Sequence, residues 1–163
     1  MPTKSDQLQI RVSPRQKATL KRLAALAKQD VSRYVLSRAL PDTRVRFGEL
    51  VRALGDDDAR RFALAELNDL LTDLTRVEFS TAVASASLDG LAPLWRNYVA
   101  AMIEHAAWLK GVAAPAWVQD VPPLAVPHFA TTLRGLRLHL LRAAPVAFKR
   151  RNIFVDASLG ARV

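Results

Sequence analysis

The chain has 163 residues, half of them hydrophobic and about a quarter charged, and it contains no cysteine. This length supports one domain with a real core, or a domain with an appended module, and the missing cysteine excludes disulfides, thiolate metal sites and a thiol nucleophile. No run of about 18 apolar residues could span a bilayer, and MPTKSDQLQIRV holds no apolar core for a signal peptide, so the expectation is a cytoplasmic protein without a membrane partner. The net charge of +9 is unevenly spread. Residues 1–52 carry 12 Lys and Arg against 4 Asp and Glu, residues 53–105 carry 4 against 9, and residues 106–163 carry 8 against 2. Positive charge concentrated in this way is the footprint of a nucleic-acid surface.

Residues 7–12, QLQIRV, alternate polar and apolar, so a short strand would turn Leu8, Ile10 and Val12 to one side and Gln7, Gln9 and Arg11 to the other. Ser13-Pro14-Arg15-Gln16 combines a capping serine, a proline at the first helical position and a glutamine at the third, which predicts a helix start. That helix carries Leu20, Leu23, Ala24 and Ala27 on its apolar face and basic residues on its flanks, ending near Lys28. After a turn at Gln29-Asp30-Val31, Ser32 is expected to cap a second helix that packs Val35, Leu36, Ala39 and Leu40 inward and stops at Pro41. Strand, helix, turn and helix make a module of residues 1–42, followed by a helical domain of residues 43–163.

In the second part, helical spacing runs from Val45 to Leu54 and ends at Gly55. Asp56, Asp57 and Asp58 read as the acidic start of a longer helix with the apolar stripe Phe62, Leu64, Leu67, Leu70, Leu71 and Leu74. A helix over about 92–110 follows, with Trp95, Tyr98, Met102 and Ile103 at core spacing. Next come a rigid proline-rich connection over 113–127 and a last helix over about 130–142. In the tail, Lys149, Arg150, Arg151 and Asn152 adjoin the β-prone Ile153 and Phe154. This segment is a candidate partner-binding strand, adding to a partner's sheet, unless it packs on the protein's own helices. His105, His128 and His139 form no catalytic or metal-ligand pattern, and no phosphate-binding glycine loop is present. No enzyme activity, metal or cofactor is therefore expected.

The stretch QLQIRVSPRQKATLKRLAALAKQDVSRYVLSRAL, residues 7–40, resembles the Arc/MetJ-type ribbon-helix-helix family, and within it the antitoxin branch. The resemblance implies a homodimer whose two strands pair as a ribbon in the DNA major groove. Gln7, Gln9 and Arg11 would then face base edges, where arginine suits guanine and glutamine suits adenine. It also sets the start of the second helix, Ser32, Arg33 and Tyr34, against the phosphate backbone, with Lys4 and Lys28 as further phosphate contacts. In that branch the segment after the DNA-binding module neutralises a toxin enzyme. The tail is similar to proteins associated with nucleotidyltransferase-like toxins, whereas acetyltransferase toxins are the partners linked with antitoxins opening on an RVSP-type helix; both stay open. The expectation is a mostly α protein, a ribbon-helix-helix dimer with a helical C-terminal domain. It would repress transcription at a double-stranded operator and neutralise a cognate toxin. The alternative is a stand-alone regulator whose helical domain senses a ligand or enlarges the oligomer, and a third class is a nonspecific nucleic-acid binder.

Overall fold

The structure, a computed structural model, describes residues 9–39 and 42–156. The chain divides after Asp42 into two compact units. The first unit holds two helices, α1 (Pro14–Leu26) and α2 (Val31–Ala39). The α1 start is built as its sequence dictates: the Ser13 hydroxyl accepts from the Gln16 amide while the Gln16 side chain accepts from the Ser13 amide, with Pro14 opening the first turn. Its end is a Schellman motif. Lys28 adopts the left-handed conformation at φ 53°, its amide donates to the Ala25 carbonyl, and the Gln29 amide donates to the Ala24 carbonyl.

Two expectations for this unit change. The α2 cap is Asp30, whose carboxylate accepts from the Arg33 amide at 2.9 Å, so Ser32 lies inside the first turn. Residues 9–12 form no strand within the chain and are exposed. A single ribbon strand has no neighbour in one chain, so its pairing would have to come from another. Residues 7 and 8, and the expected helix stop at residues 40 and 41, lie outside the described residues.

The second unit is mostly helical: α3 (Thr43–Ala53), α4 (Arg60–Asp73), α5 (Arg76–Ala82), α6 (Pro93–Lys110), α7 (Arg137–Ala143) and the single turn α8 (Val146–Lys149). Two short strands, β1 (His128–Phe129) and β2 (Ile153–Phe154), pair in parallel with His128 opposite Ile153. The core forms where helical spacing demands it. Phe47, Leu50 and Val51 from α3, with Leu54 just after it, meet Ala63, Leu67 and Leu71 from α4, with Leu74 at its C-terminal cap, around α6, whose Val99, Ala100 and Ile103 are fully buried. The alternation of β2 divides its side chains: Ile153 and, just beyond it, Val155 join this core. Phe154 turns the other way to stack on Phe129 beside Leu140 and Ala144.

Phe62, expected in the apolar stripe of α4, is 70% exposed, because the buried face is set by Ala63, Leu67 and Leu71. The aspartate run is the loop ahead of α4 rather than its first turn. Asp56 accepts from the Asp58 amide, and Asp57 pairs with Arg60. The proline-rich connection contains one 3-10 turn, Ala116–Val118, and the last long helix begins only at Arg137. Helices α4 and α6 run parallel. Arg60 at the start of α4 lies 4.5 Å over the Trp95 ring near the start of α6, and at the other end Lys110 donates to the Thr72 and Leu74 carbonyls.

Candidate functional site

The candidate nucleic-acid surface is the first unit. Residues 9–12 run exposed into the Ser13 cap, so Gln9 and Arg11 are open to solvent, as are Ile10 and Val12 on the alternate positions. Gln7 and Lys4 lie outside the described residues. Eight cations, from Arg11 to Arg38, stand on residues 9–39 against the single acid Asp30, and all eight are exposed. At the start of α2, Ser32 and Arg33 are exposed and Tyr34 is half-buried, its ring 5.7 Å from the Arg38 guanidinium. Asp30 already occupies the Arg33 amide there, so an incoming phosphate would meet the Arg33 and Ser32 side chains and compete with a carboxylate for the helix end. Lys28, in its left-handed turn, presents its side chain to solvent between the two helices.

Apolar side chains on this unit lack cover. Among the described residues of the unit only Ala24 is buried, while Ile10, Leu26 and Leu36 are 61%, 74% and 41% exposed. A helix pair with one buried alanine has no core sufficient to offset the entropy of ordering it.

The tail segment is placed differently from a partner-facing strand. β2 pairs with this chain's own β1, and Ile153, Phe154 and Arg151 are buried. Packing on the protein's own helices is thus the arrangement found for these three. Arg151 donates to the Val118 and Val121 carbonyls and the Asn97 side chain and pairs with Glu104 on α6; its Nε has no partner among the described residues. Burial pushes the Arg151 pKa down and Glu104 opposes that shift. Asn152, at φ 57°, donates to the Leu124 carbonyl and so ties the tail to the proline-rich connection. Of the six residues expected at a partner, Arg150 is exposed, paired with Glu104, and Lys149 is half-buried with its ammonium on the Arg142 carbonyl.

The second unit also carries a feature that sequence reasoning missed. A groove of about 820 Å³ is floored by α6 and walled by α4 on one side and by Pro145, Phe148, Val155 and Asp156 on the other. Its signal in the sequence was the same spacing that reads as core: Tyr98 and His105 sit at helical repeats but line a space that the described residues do not fill.

Comparison with known proteins bears on the first unit. Residues 7–65 match the family described as Antitoxin TacA 1-like. The match covers just over a third of the chain, running through α1, α2 and α3 into the start of α4. This antitoxin-like segment therefore extends past the division at Asp42 into the second unit. No curated protein and no solved structure matches the chain. Among the described residues no helix is long and apolar enough to cross a membrane, and no group of three or more His, Asp or Glu is placed to hold a metal.

Proposed function

We propose that this protein is the antitoxin of a toxin–antitoxin pair. It dimerises through its first unit, binds operator DNA there as a transcriptional repressor, and neutralises its toxin with the helical second unit. The observation that carries the reading is the antitoxin match over residues 7–65, whose stretch 9–39 carries eight exposed cations against one acid. Dimerisation is supported by the uncovered Ile10, Val12, Leu26 and Leu36, since a second copy pairing its residues 7–12 would cover apolar surface and satisfy an otherwise unpaired strand edge. In that ribbon Gln7, Gln9 and Arg11 read base edges. Lys4, Lys28, Ser32, Arg33 and Tyr34 contact phosphate. A toxin of either the nucleotidyltransferase-like or the acetyltransferase class is the partner of the second unit, and Arg150 with Lys149 remain candidate contacts.

The test is retention of labelled DNA from the protein's own promoter against random competitor at ~150 mM salt. Specific retention that depends on protein concentration as a dimer supports the reading. Arg11→Ala should then cost about 1–3 kcal/mol on the operator and much less on random DNA. Equal retention of both DNAs would replace the repressor with a nonspecific binder. Specific retention without neutralisation of any toxin co-expressed from the same operon would favour a stand-alone regulator.

A further inference from the structure

Between Asp120 and Asp156 the sequence has no Asp or Glu, while Arg134, Arg137, Arg142, Lys149, Arg150 and Arg151 all fall there. The first three stand on one short element. Residues 132–142, a 3-10 turn over Arg134–Leu136 followed by α7, are exposed except for Leu140, which packs with Ala144 and Phe154. That single buried leucine fixes how α7 is turned. At about 100° per residue, Leu138 and Leu141 point away from it, and they are 68% and 42% exposed. Arg137 and Arg142 lie about 40° to either side of this leucine pair, and Arg134 stands four residues ahead of Leu138. Leu138 and Leu141 have the three-residue step of an a/d seam, and Arg137 and Arg142 fall at the flanking g and e positions, which in paired helices set the charge of the partner.

The three arginines have no carboxylate of their own. The Arg137 guanidinium lies 5.0 Å from the centre of the Phe129 ring, and none of the three forms an ion pair among the described residues. Glu104 is held by Arg150 and Arg151. Asp156 sits 3.1 Å from the His139 ring, which is turned about 130° round α7 from the leucine pair. Residues 157–163, ASLGARV, lie outside the described residues and contain one arginine and no acid, and residues 9–39 hold eight cations against one acid, so neither segment supplies the missing charge. The chemistry of the surface also selects among anionic partners. Duplex DNA would take the guanidiniums on its phosphates and leave the leucines between them uncovered. A membrane surface calls for a broad apolar face, whereas here arginines close in on both sides of a stripe only about 60° wide.

We propose that α7 docks an acidic amphipathic α-helix of the protein's partner, with apolar residues three or four apart against Leu138 and Leu141 and Glu or Asp on its flanks pairing with Arg137 and Arg142. The inference rests on the reading of the second unit as the partner-binding part, and it adds α7 to the candidate contacts at Lys149 and Arg150.

The test uses the full-length protein and three fluorescein-labelled synthetic peptides of about 14 residues, held helical by a side-chain lactam on the outer face. One has leucines at the seam spacing with glutamate flanks, one has the same leucines with lysine flanks, and one has the glutamate composition with the leucines scrambled. Anisotropy titration should show the first binding about tenfold more tightly than either of the others. The double variant Arg137→Glu/Arg142→Glu should reverse the preference and bind the lysine-flanked peptide more tightly. Arg142→Glu alone, which leaves Arg137 on Phe129, should lose about threefold for the glutamate-flanked peptide at the parent thermal midpoint, and Leu138→Gln about tenfold. Lys21→Gln/Arg22→Gln, which removes two exposed charges from the first unit, should change nothing. A preference that survives the charge reversal, or that falls equally with the first-unit variant, would overturn the proposal. Loss of random duplex DNA binding in the reversed variant without reversal of the peptide preference would overturn it and assign the arginines to phosphate. A fall in oligomeric state of Leu138→Gln by sedimentation would overturn it in favour of contact between copies. Because the titration requires neither toxin nor DNA, a reversed preference without operator retention would sink the antitoxin reading and leave the helix site standing, whereas operator retention without any peptide preference would sink this inference alone.

Discussion

At the scale of single residues, Arg151 shows how a position can look functional in sequence and prove structural. A basic run beside an apolar one suggested a charged contact for a partner, yet the Arg151 guanidinium is folded inward onto two carbonyls of the 118–121 segment, onto Asn97 and onto Glu104. Planar donors on both sides of the guanidinium let one side chain join the proline-rich connection to α6, which a lysine could not do with a single ammonium. Arg151→Met keeps the stem but strands two buried carbonyls and the Asn97 oxygen. The expected loss is about 3 kcal/mol in the free energy of unfolding, measured by chemical denaturation, with Arg151→Lys intermediate. No pattern in the sequence separates this arginine from its exposed neighbour Arg150, because the difference lies in which carbonyls fold against it.

At the scale of elements, the ends of α1 were legible because their determinants are local. Ser13, Pro14 and Gln16 act within one turn, and the structure realises both bonds of the capping box. The cap of α2 was misplaced by two residues: Asp30 and Ser32 are both good capping residues, and only the path of the chain out of the Lys28 turn decides between them. The two ends of α1 predict opposite effects. Ser13→Ala should destabilise the first unit by about 1 kcal/mol, whereas Lys28→Gly should stabilise it by a similar amount, since a left-handed residue without Cβ carries no steric penalty. Amide exchange along α1 is the measurement that reads both. Helix α6 was equally legible through its long apolar spacing, and the structure adds Pro93 in its first turn and Gly111 at its end, which takes φ 63°. The strand pairing was half visible: β2 follows from its apolar run, while β1, the two residues directly after the proline-rich connection, exists because β2 lies beside it.

At the scale of the whole molecule, the division at Asp42 separates a basic unit with almost no core of its own from a larger one built around α6. The second unit contains its own continuous core, so a chain cut to residues 43–163 should still unfold cooperatively by calorimetry and still neutralise toxin, but lose operator retention. Loss of cooperative unfolding in that fragment would show that the antitoxin-like segment, which runs to residue 65, must be intact for the core to form. By itself the sequence determined what depends on neighbours in the chain: the charge asymmetry, the two ends of α1, the apolar spacings and the antitoxin-like character of residues 7–65. Only the tertiary structure decided what depends on which surfaces meet. It buried Arg151, Ile153 and Phe154, turned Phe62 outward, and left a groove beside α4 and α6 among the described residues, because periodicity marks a face as apolar without saying whether anything in the same chain is close enough to cover it.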